Sequence, residues 1–416
     1  MDIEITKISG GVTAPRGFRA SGVHCGLRKN KSRRDLALIA ADCRCSAAGV
    51  YTTNKVFAAP VGVTRAHLSD GYAQAIICNS GNANTCTADG YDKANLTCAR
   101  LAEELGIAEC DIAVASTGVI GQPLPIEPII TAIPALAAAL DGSPDGSQSA
   151  AAAIMTTDTK LKEYACEFKL GGASKQDAAV KLGGICKGSG MIEPNMATML
   201  GFITTDAAIE PAALQAALKS VVCDTFNMVS IDGDTSTNDM VVIMASGLAG
   251  NTRITAPEGE DYEIFRAALL TLCTRMAKSI ASDGEGATKL LECNIANYYD
   301  ADGARKLAKS VIKSSLVKTA MFGADANWGR VLCALGYAGV ALDTDKIDVR
   351  FRSKSGEIAV CSGGRAIPVD EEKAKEILSR DYIYIDVDCG CGSAAATAWG
   401  CDLSYEYVRI NGDYRS

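Results

Sequence analysis

Gly183-Gly-Ile-Cys-Lys-Gly-Ser-Gly190 and, after two more residues, Glu193-Pro-Asn-Met-Ala-Thr-Met-Leu-Gly-Phe202 read as a glycine-dense loop running into a buried strand. Thr198 sits where the loop gives way to the apolar run Met199-Leu-Gly-Phe-Ile203. A break of the Ala197–Thr198 peptide would make Thr198 a new N-terminus. Its hydroxyl would be a nucleophile and its own freed amine the base beside it. The spacing therefore predicts a self-cleaving chain, with pieces 1–197 and 198–416 and Thr198 as the reactive group.

Outward from that junction, short apolar runs alternate with amphipathic stretches, the pattern of a mixed α/β protein. Strands are expected at Ala75–Cys78, Ile112–Ala115, Ala165–Leu170, Leu200–Thr204, Tyr382–Val387 and Tyr405–Ile410. Helices are expected at Lys93–Leu105, Glu127–Leu140, Pro211–Cys223, Tyr262–Ser282, Gly303–Ser315 and Glu371–Ser379. Pro134 should make the second of these kink or start late. Asp141-Gly-Ser-Pro-Asp-Gly-Ser-Gln-Ser149 has the composition of a loop, and Met240-Val-Val-Ile-Met244 is expected to open a helix capped by Asn238 or Asp239.

With 416 residues, 48% of them apolar, the chain can bury one large core or two moderate ones. A net charge of −8 argues against nucleic acid as the main partner. The longest uncharged stretches, such as Ile112–Ile126, are broken by Gly and Pro, so no membrane span is expected. The N-terminus, acidic at Asp2 and Glu4 and strand-like over Ile3–Ile8, does not resemble a targeting segment. Seventeen cysteines read as reduced cytosolic thiols acting as small apolar residues. They include two C-x-C pairs but no C-x-x-C, and the only histidines are His24 and His67, so no metal site is expected.

Several glycine-rich segments imitate ligand loops. Gly183–Gly190 places its lysine before the last glycines, unlike a phosphate-binding P-loop. Gly390-Cys-Gly-Ser-Ala-Ala395 fits G-x-G-x-x-A, but the pattern returns to strand where a dinucleotide fold needs a helix. Ile231-Asp-Gly-Asp-Thr-Ser-Thr-Asn-Asp239 resembles half a calcium loop without its closing Glu, and reads better as scaffold. At Ala115-Ser-Thr-Gly118 a tight turn after a strand could aim backbone N–H groups and a hydroxyl at one point, as an oxyanion hole requires. Glu285, between two glycines, could reach a ligand amine or lie in solvent.

Five segments in collinear order resemble the ornithine acetyltransferase family, also called glutamate N-acetyltransferases. They are Lys187-Gly-Ser-Gly-Met-Ile-Glu-Pro-Asn-Met-Ala-Thr-Met-Leu200, Asp232-Gly-Asp-Thr-Ser-Thr-Asn-Asp239, Asp283-Gly-Glu-Gly-Ala-Thr-Lys289, Gly323-Ala-Asp-Ala-Asn-Trp-Gly-Arg330 and Asn411-Gly-Asp-Tyr-Arg-Ser416. The fourth has Ala326 where the family usually has Pro. The likeness runs from Ile8-Ser-Gly-Gly-Val-Thr-Ala-Pro15 to the last residue. It implies helices stacked outside two central β-sheets, the layering of DmpA-type and N-terminal-nucleophile hydrolases with different connectivity. It implies self-cleavage between Ala197 and Thr198 into two chains that stay associated as α2β2.

By the same likeness Thr198 is the nucleophile and Thr117 with Gly118 the oxyanion hole. Thr156, Lys187, Thr198, Glu285, Asn411 and Ser416 would contact substrate, with Thr157 an alternative to Thr156. Acetyl would pass from N2-acetylornithine to Thr198 and then to glutamate, in the cytoplasm and without a cofactor. Acetyl-CoA is a possible second donor. Competing readings are a self-processing aminopeptidase of related fold, in which water replaces the amine acceptor, and a non-catalytic protein binding a small anion.

Overall fold

The apolar runs of the sequence become two β-sheets flanked by helices in a computed structural model that describes residues 3–171, 178–193 and 199–412. In chain order the strands are β1 (Thr6–Ile8), β2 (Phe18–Val23), β3 (Leu36–Tyr51), β4 (Tyr72–Asn82), β5 (Ile112–Val119), β6 (Lys162–Leu170), β7 (Ala178–Lys187) and β8 (Leu200–Thr205). They continue as β9 (Val229–Ser230), β10 (Met240–Ala245), β11 (Leu290–Tyr298), β12 (Asp348–Ser353), β13 (Gly356–Ser362), β14 (Arg365–Ala366), β15 (Tyr382–Asp388) and β16 (Ala394–Cys401).

The first sheet has the order β1-β6-β7-β8-β10-β3-β4-β5, with β2 also on β3. The second runs β14-β13-β12-β15-β11-β16-β9. β8 lies antiparallel to β7, Leu200 opposite Lys187, and parallel to β10, Leu200 opposite Met240. The long β3 pairs with β4 through its first half and with β10 through its second, slipping register between Ala40 and Cys45. Side chains of Ile76 and Ala115 on one arm and Ile185 and Phe202 on the other share one core cluster with Ala150, Ala153 and Ile154.

The helix Glu260–Ser282 contacts both sheets. It buries Tyr262, Phe265, Ala268, Leu269, Leu272, Cys273, Met276, Ala277, Ile280 and Ala281, a stripe at three- and four-residue spacing. Glu260, Asp261 and Glu263 place negative charge on its first turn, where the helix dipole favours it. Burying one such side chain as large as Phe265 contributes about 1.5–3 kcal/mol. Most cysteines are buried and behave as fillers; burial pushes the Cys78 thiol up to about 12. Among the described residues no helix is long and apolar enough to cross a membrane.

Five expectations are corrected. Met240–Ala245 is a strand, not a helix: Val241, Val242 and Ile243 are β-branched, fully buried and paired on both edges. Tyr405–Gly412 is a helix, started by the Ser404 hydroxyl accepting from the Glu406 N–H, with Tyr405 and Val408 exposed rather than in a sheet. The stretch read as a loop from Asp141 becomes helical at Pro144–Ile154, with Ser143 capping the Asp145 N–H. Of the two outcomes expected at Pro134, a kink or a late start, the late start does not occur: the helix runs Ile126–Ala138 with Pro134 inside it. Gly183 to Lys187 belong to β7, so the loop begins only at Gly188. A Cβ at Gly183 would lie 1.7 Å from the Gly11 carbonyl oxygen, so glycine here serves close packing rather than a turn. Where G-x-G-x-x-A was discounted, β16 starts at Ala394, with strand in place of the helix a nucleotide needs.

Candidate active site

Strand β5 ends in an irregular segment rather than the expected tight turn. Asn82 of β4 stands opposite both Thr117 and Val119. Gly118 takes φ +135°, and a Cβ there would meet the Gly81 carbonyl carbon at 2.4 Å. Only glycine lets the two strands approach so closely. The Asn238 amide donates to the carbonyls of Ser116 at 2.8 Å and Ala83 at 2.6 Å, and its oxygen accepts from Thr85 and Thr237. Asn238 therefore ties the β5 end to the loop before β10 instead of capping a helix. The scaffold reading of the Asp232–Asp239 segment holds at this residue.

Lys187, the last residue of β7, points its ammonium at the Thr117 hydroxyl, 3.4 Å away. Both side chains are nearly enclosed. Burial pushes the Lys187 ammonium below its ordinary range, and the nearby Asp158 carboxylate opposes that shift. Glu285 is buried, its N–H donating to the Ser189 carbonyl at 2.8 Å. The Asn411 amide reaches it from the C-terminal helix and donates to its carboxylate at 2.8 Å. Gly190 passes so near that a Cβ would lie 2.4 Å from a Glu285 oxygen.

These groups line one cleft of about 140 Å³, with Thr156, Thr157, Ile120, Met191, Ser236 and Thr237 completing its wall. Thus Thr117, Gly118, Thr156, Lys187, Glu285 and Asn411, all named from the sequence, converge on one place. Thr157 lines it too, so both candidate threonines face the same space. Ala197, Thr198 and Ser416 lie outside the described residues. Asp158, Lys162 and Asp283, buried behind the wall, were missed; acids and lysines spread over 125 positions carry no spacing signal. A larger groove of about 460 Å³ on the second sheet, lined in part by Arg350, Arg352 and Asp386, holds none of the motif residues.

Neither histidine reaches the cleft. His24 contacts the Arg33 carbonyl and Asp35, and His67 contacts the Ile112 carbonyl. What lines it is hydroxyls, a lysine and a carboxylate, a set that suits a small zwitterion bearing both charges.

Two helix-flanked sheets with a hydroxyl–lysine–carboxylate cleft define an α/β protein built around a non-histidine site. The family model described as ArgJ matches residues 19–416, and the chain belongs to the ArgJ family. It is 49% identical to the arginine biosynthesis bifunctional protein ArgJ of Symbiobacterium thermophilum, covering 98% of this chain and 99% of the relative. The crystal structure of arginine biosynthesis bifunctional protein argJ from Bacillus halodurans is 45% identical over 51% of this chain and 98% of its own, TM-score 0.49. Ornithine acetyltransferase complexed with ornithine, from Mycobacterium tuberculosis, is 34% identical over 47% of this chain and 100% of its own, TM-score 0.42.

Proposed function

We propose that this protein is a glutamate N-acetyltransferase of arginine biosynthesis, moving acetyl from N2-acetyl-L-ornithine to L-glutamate through an ester on Thr198. The observation that carries the reading is the meeting of Thr117, Thr156, Lys187, Glu285 and Asn411 on one cleft. They come from distant parts of a chain whose full-length relatives are called arginine biosynthesis bifunctional proteins.

In the precursor the Thr198 hydroxyl attacks the Ala197 carbonyl, the peptide nitrogen leaves as the Thr198 amine, and water hydrolyses the resulting ester. The free α-amine has a reference pKa of about 7.7–8.0, and a neighbouring cation would lower it, giving a neutral base close to pH 7. That amine takes the hydroxyl proton as Thr198 attacks the acetyl carbonyl of acetylornithine. It returns the proton to the departing ornithine nitrogen. The glutamate amine then attacks the acetyl ester and leaves as N-acetylglutamate, freeing Thr198.

Thr117 and the backbone at Gly118 stabilise the oxyanion of each tetrahedral intermediate. Lys187 receives the α-carboxylate common to both substrates, while Glu285 and Asn411 face an amine. That pairing of charges suits an amino-acid acceptor rather than water. Acetyl-CoA as an alternative donor, Ser416 as a further substrate contact, and an α2β2 assembly of the two cleaved chains belong to the same proposal.

The test supplies purified protein with glutamate and either acetylornithine or acetyl-CoA, and measures N-acetylglutamate. Product from acetylornithine is expected; its absence refutes the transferase. Product from acetyl-CoA decides the second donor. Thr198→Ala should give one uncut chain of about 43.3 kDa with no transfer. Two fragments from that variant on a denaturing gel would remove Thr198 from the mechanism.

A further inference from the structure

Behind the cleft lies a cluster of charges that the transfer chemistry does not use. Lys162 is almost wholly enclosed, its side chain 1% exposed, and its ammonium binds Asp158 at 2.6 Å and Asp283 at 2.5 Å. Asp158 has no exposed side-chain surface. One of its oxygens accepts from Lys162 and from the Gly188 N–H at 2.8 Å, the other from the Thr156 N–H at 2.9 Å. Asp283 accepts from the N–H groups of Thr159 and Lys160, and its carbonyl accepts from the Ser189 hydroxyl at 2.6 Å. Three segments are thereby stitched together, 156–162, 187–189 and 283–285, and each bears a cleft residue: Thr156, Lys187 and Glu285.

Enclosing these three charges, with Lys187 beside them, costs several kcal/mol per ion unless every one is paired. A cluster serving only to fill space would be better apolar. Burial by itself disfavours the charged form of Lys187, and a neutral amine holds a carboxylate less well. The ionisable groups facing Lys187 are Asp158 and Asp239, which favour its charge, Lys162, which opposes it, and the Cys78 thiol. Asp158 is held well below the carboxylate range: burial would raise it, but Lys187 and Lys162 outweigh that. Asp158 is therefore an anion throughout the working range of pH, placed by three hydrogen bonds next to the residue after Lys187.

We propose that Asp158 is a positioning residue for the transfer reaction: buried and fixed by Lys162 and by the Thr156 and Gly188 N–H groups, it is the counter-ion that keeps Lys187 charged for the substrate carboxylate. This rests on the acetyltransferase reading and adds to it a specificity device one layer behind the cleft.

The experiment follows kcat/KM for acetylornithine against pH in wild type, Asp158→Asn and Lys162→Gln, with folding checked by thermal unfolding. Loss of the Lys187 charge sets the alkaline limb. Removing Asp158 should move that limb down by about one pH unit, and removing Lys162 should move it up. A packing defect would lower rates at every pH without driving the limb in opposite directions. If a single change prevents folding, the double variant D158N/K162Q takes its place, and its limb should move down by less than a unit, because Asp158 acts on Lys187 more strongly than Lys162 does. An unmoved limb in an active variant, or both single variants moving the same way, overturns the inference and leaves the function standing. Wild-type protein that forms no N-acetylglutamate fails the functional reading instead.

Discussion

At Gly190 one added methyl would meet the Glu285 carboxylate at 2.4 Å, and at Gly118 it would meet the β4 backbone at the same distance. The two consequences differ. Glu285 is a side chain and can swing aside, so Gly190→Ala should raise KM for acetylornithine about tenfold while kcat changes little, readable in steady-state kinetics. The β4 backbone cannot move so cheaply, and Gly118 also has φ +135°, so Gly118→Ala should cost stability as well as rate. Thr117→Ala, which leaves the backbone intact, should lower kcat by about 10²–10³ with KM nearly unchanged. Lys187, Glu285 and Asn411 were legible because the five motif segments containing them are collinear with a known family; Thr117 lies outside those segments and was legible as a hydroxyl beside a glycine at a strand end. Asn238 lies in one of the same segments, but its role was misread as a possible helix cap. Three of its side-chain hydrogen bonds reach Ala83, Thr85 and Ser116, some 120 to 155 positions away, and no local pattern records that.

At the scale of elements, the segment Ile231–Met240 grips the chain on both sides of the proposed cleavage point. The Asp232 carboxylate accepts from the N–H groups of Met191 at 2.6 Å and Ile192 at 2.8 Å, and Thr235 donates to the Glu193 carbonyl. Beyond the junction, the Met240 N–H donates to the Met199 carbonyl at 3.1 Å. Met191 itself has φ +55°, a left-handed conformation that costs a residue with a side chain about 1–3 kcal/mol. Asp232→Asn should weaken this grip and slow fragment formation about tenfold in a time course on a denaturing gel, while cleaved material transfers acetyl normally.

The helix Glu260–Ser282 was legible almost to its ends, because ten buried positions at helical spacing outweigh any local ambiguity. Phe265→Ala in that stripe should lower the unfolding free energy by about 3–5 kcal/mol in a denaturant titration. Met240–Ala245 and Tyr405–Gly412 were misread for the opposite reason. Runs of five or six residues contain too few periods to separate strand from helix. What decided them was whether a sheet edge stood beside them.

For the molecule as a whole, acid should be destabilising. Asp158 and Glu292 lie below the usual carboxylate range: burial would raise Glu292, but Lys278, Tyr382 and Trp399 outweigh it. Stability from such depressed groups is complete above the unfolded values, about 3.9 for Asp and 4.3 for Glu. It is lost as pH falls toward the folded ones. The melting temperature should therefore hold from pH 7 down to about 4.5 and fall below that, less steeply in a folded D158N variant. The order of strands in the first sheet bears on what a nick would do. β7 precedes the Ala197–Thr198 bond and β8 follows it, yet the two are neighbours, and β10 lies between β8 and β3. Scission would thus divide the covalent chain and not the hydrogen-bonded one, with strands of the two products shuffled like cards from one deck. Such halves have no surface along which to part: they should travel together through gel filtration, melt in one transition, and separate only in denaturant.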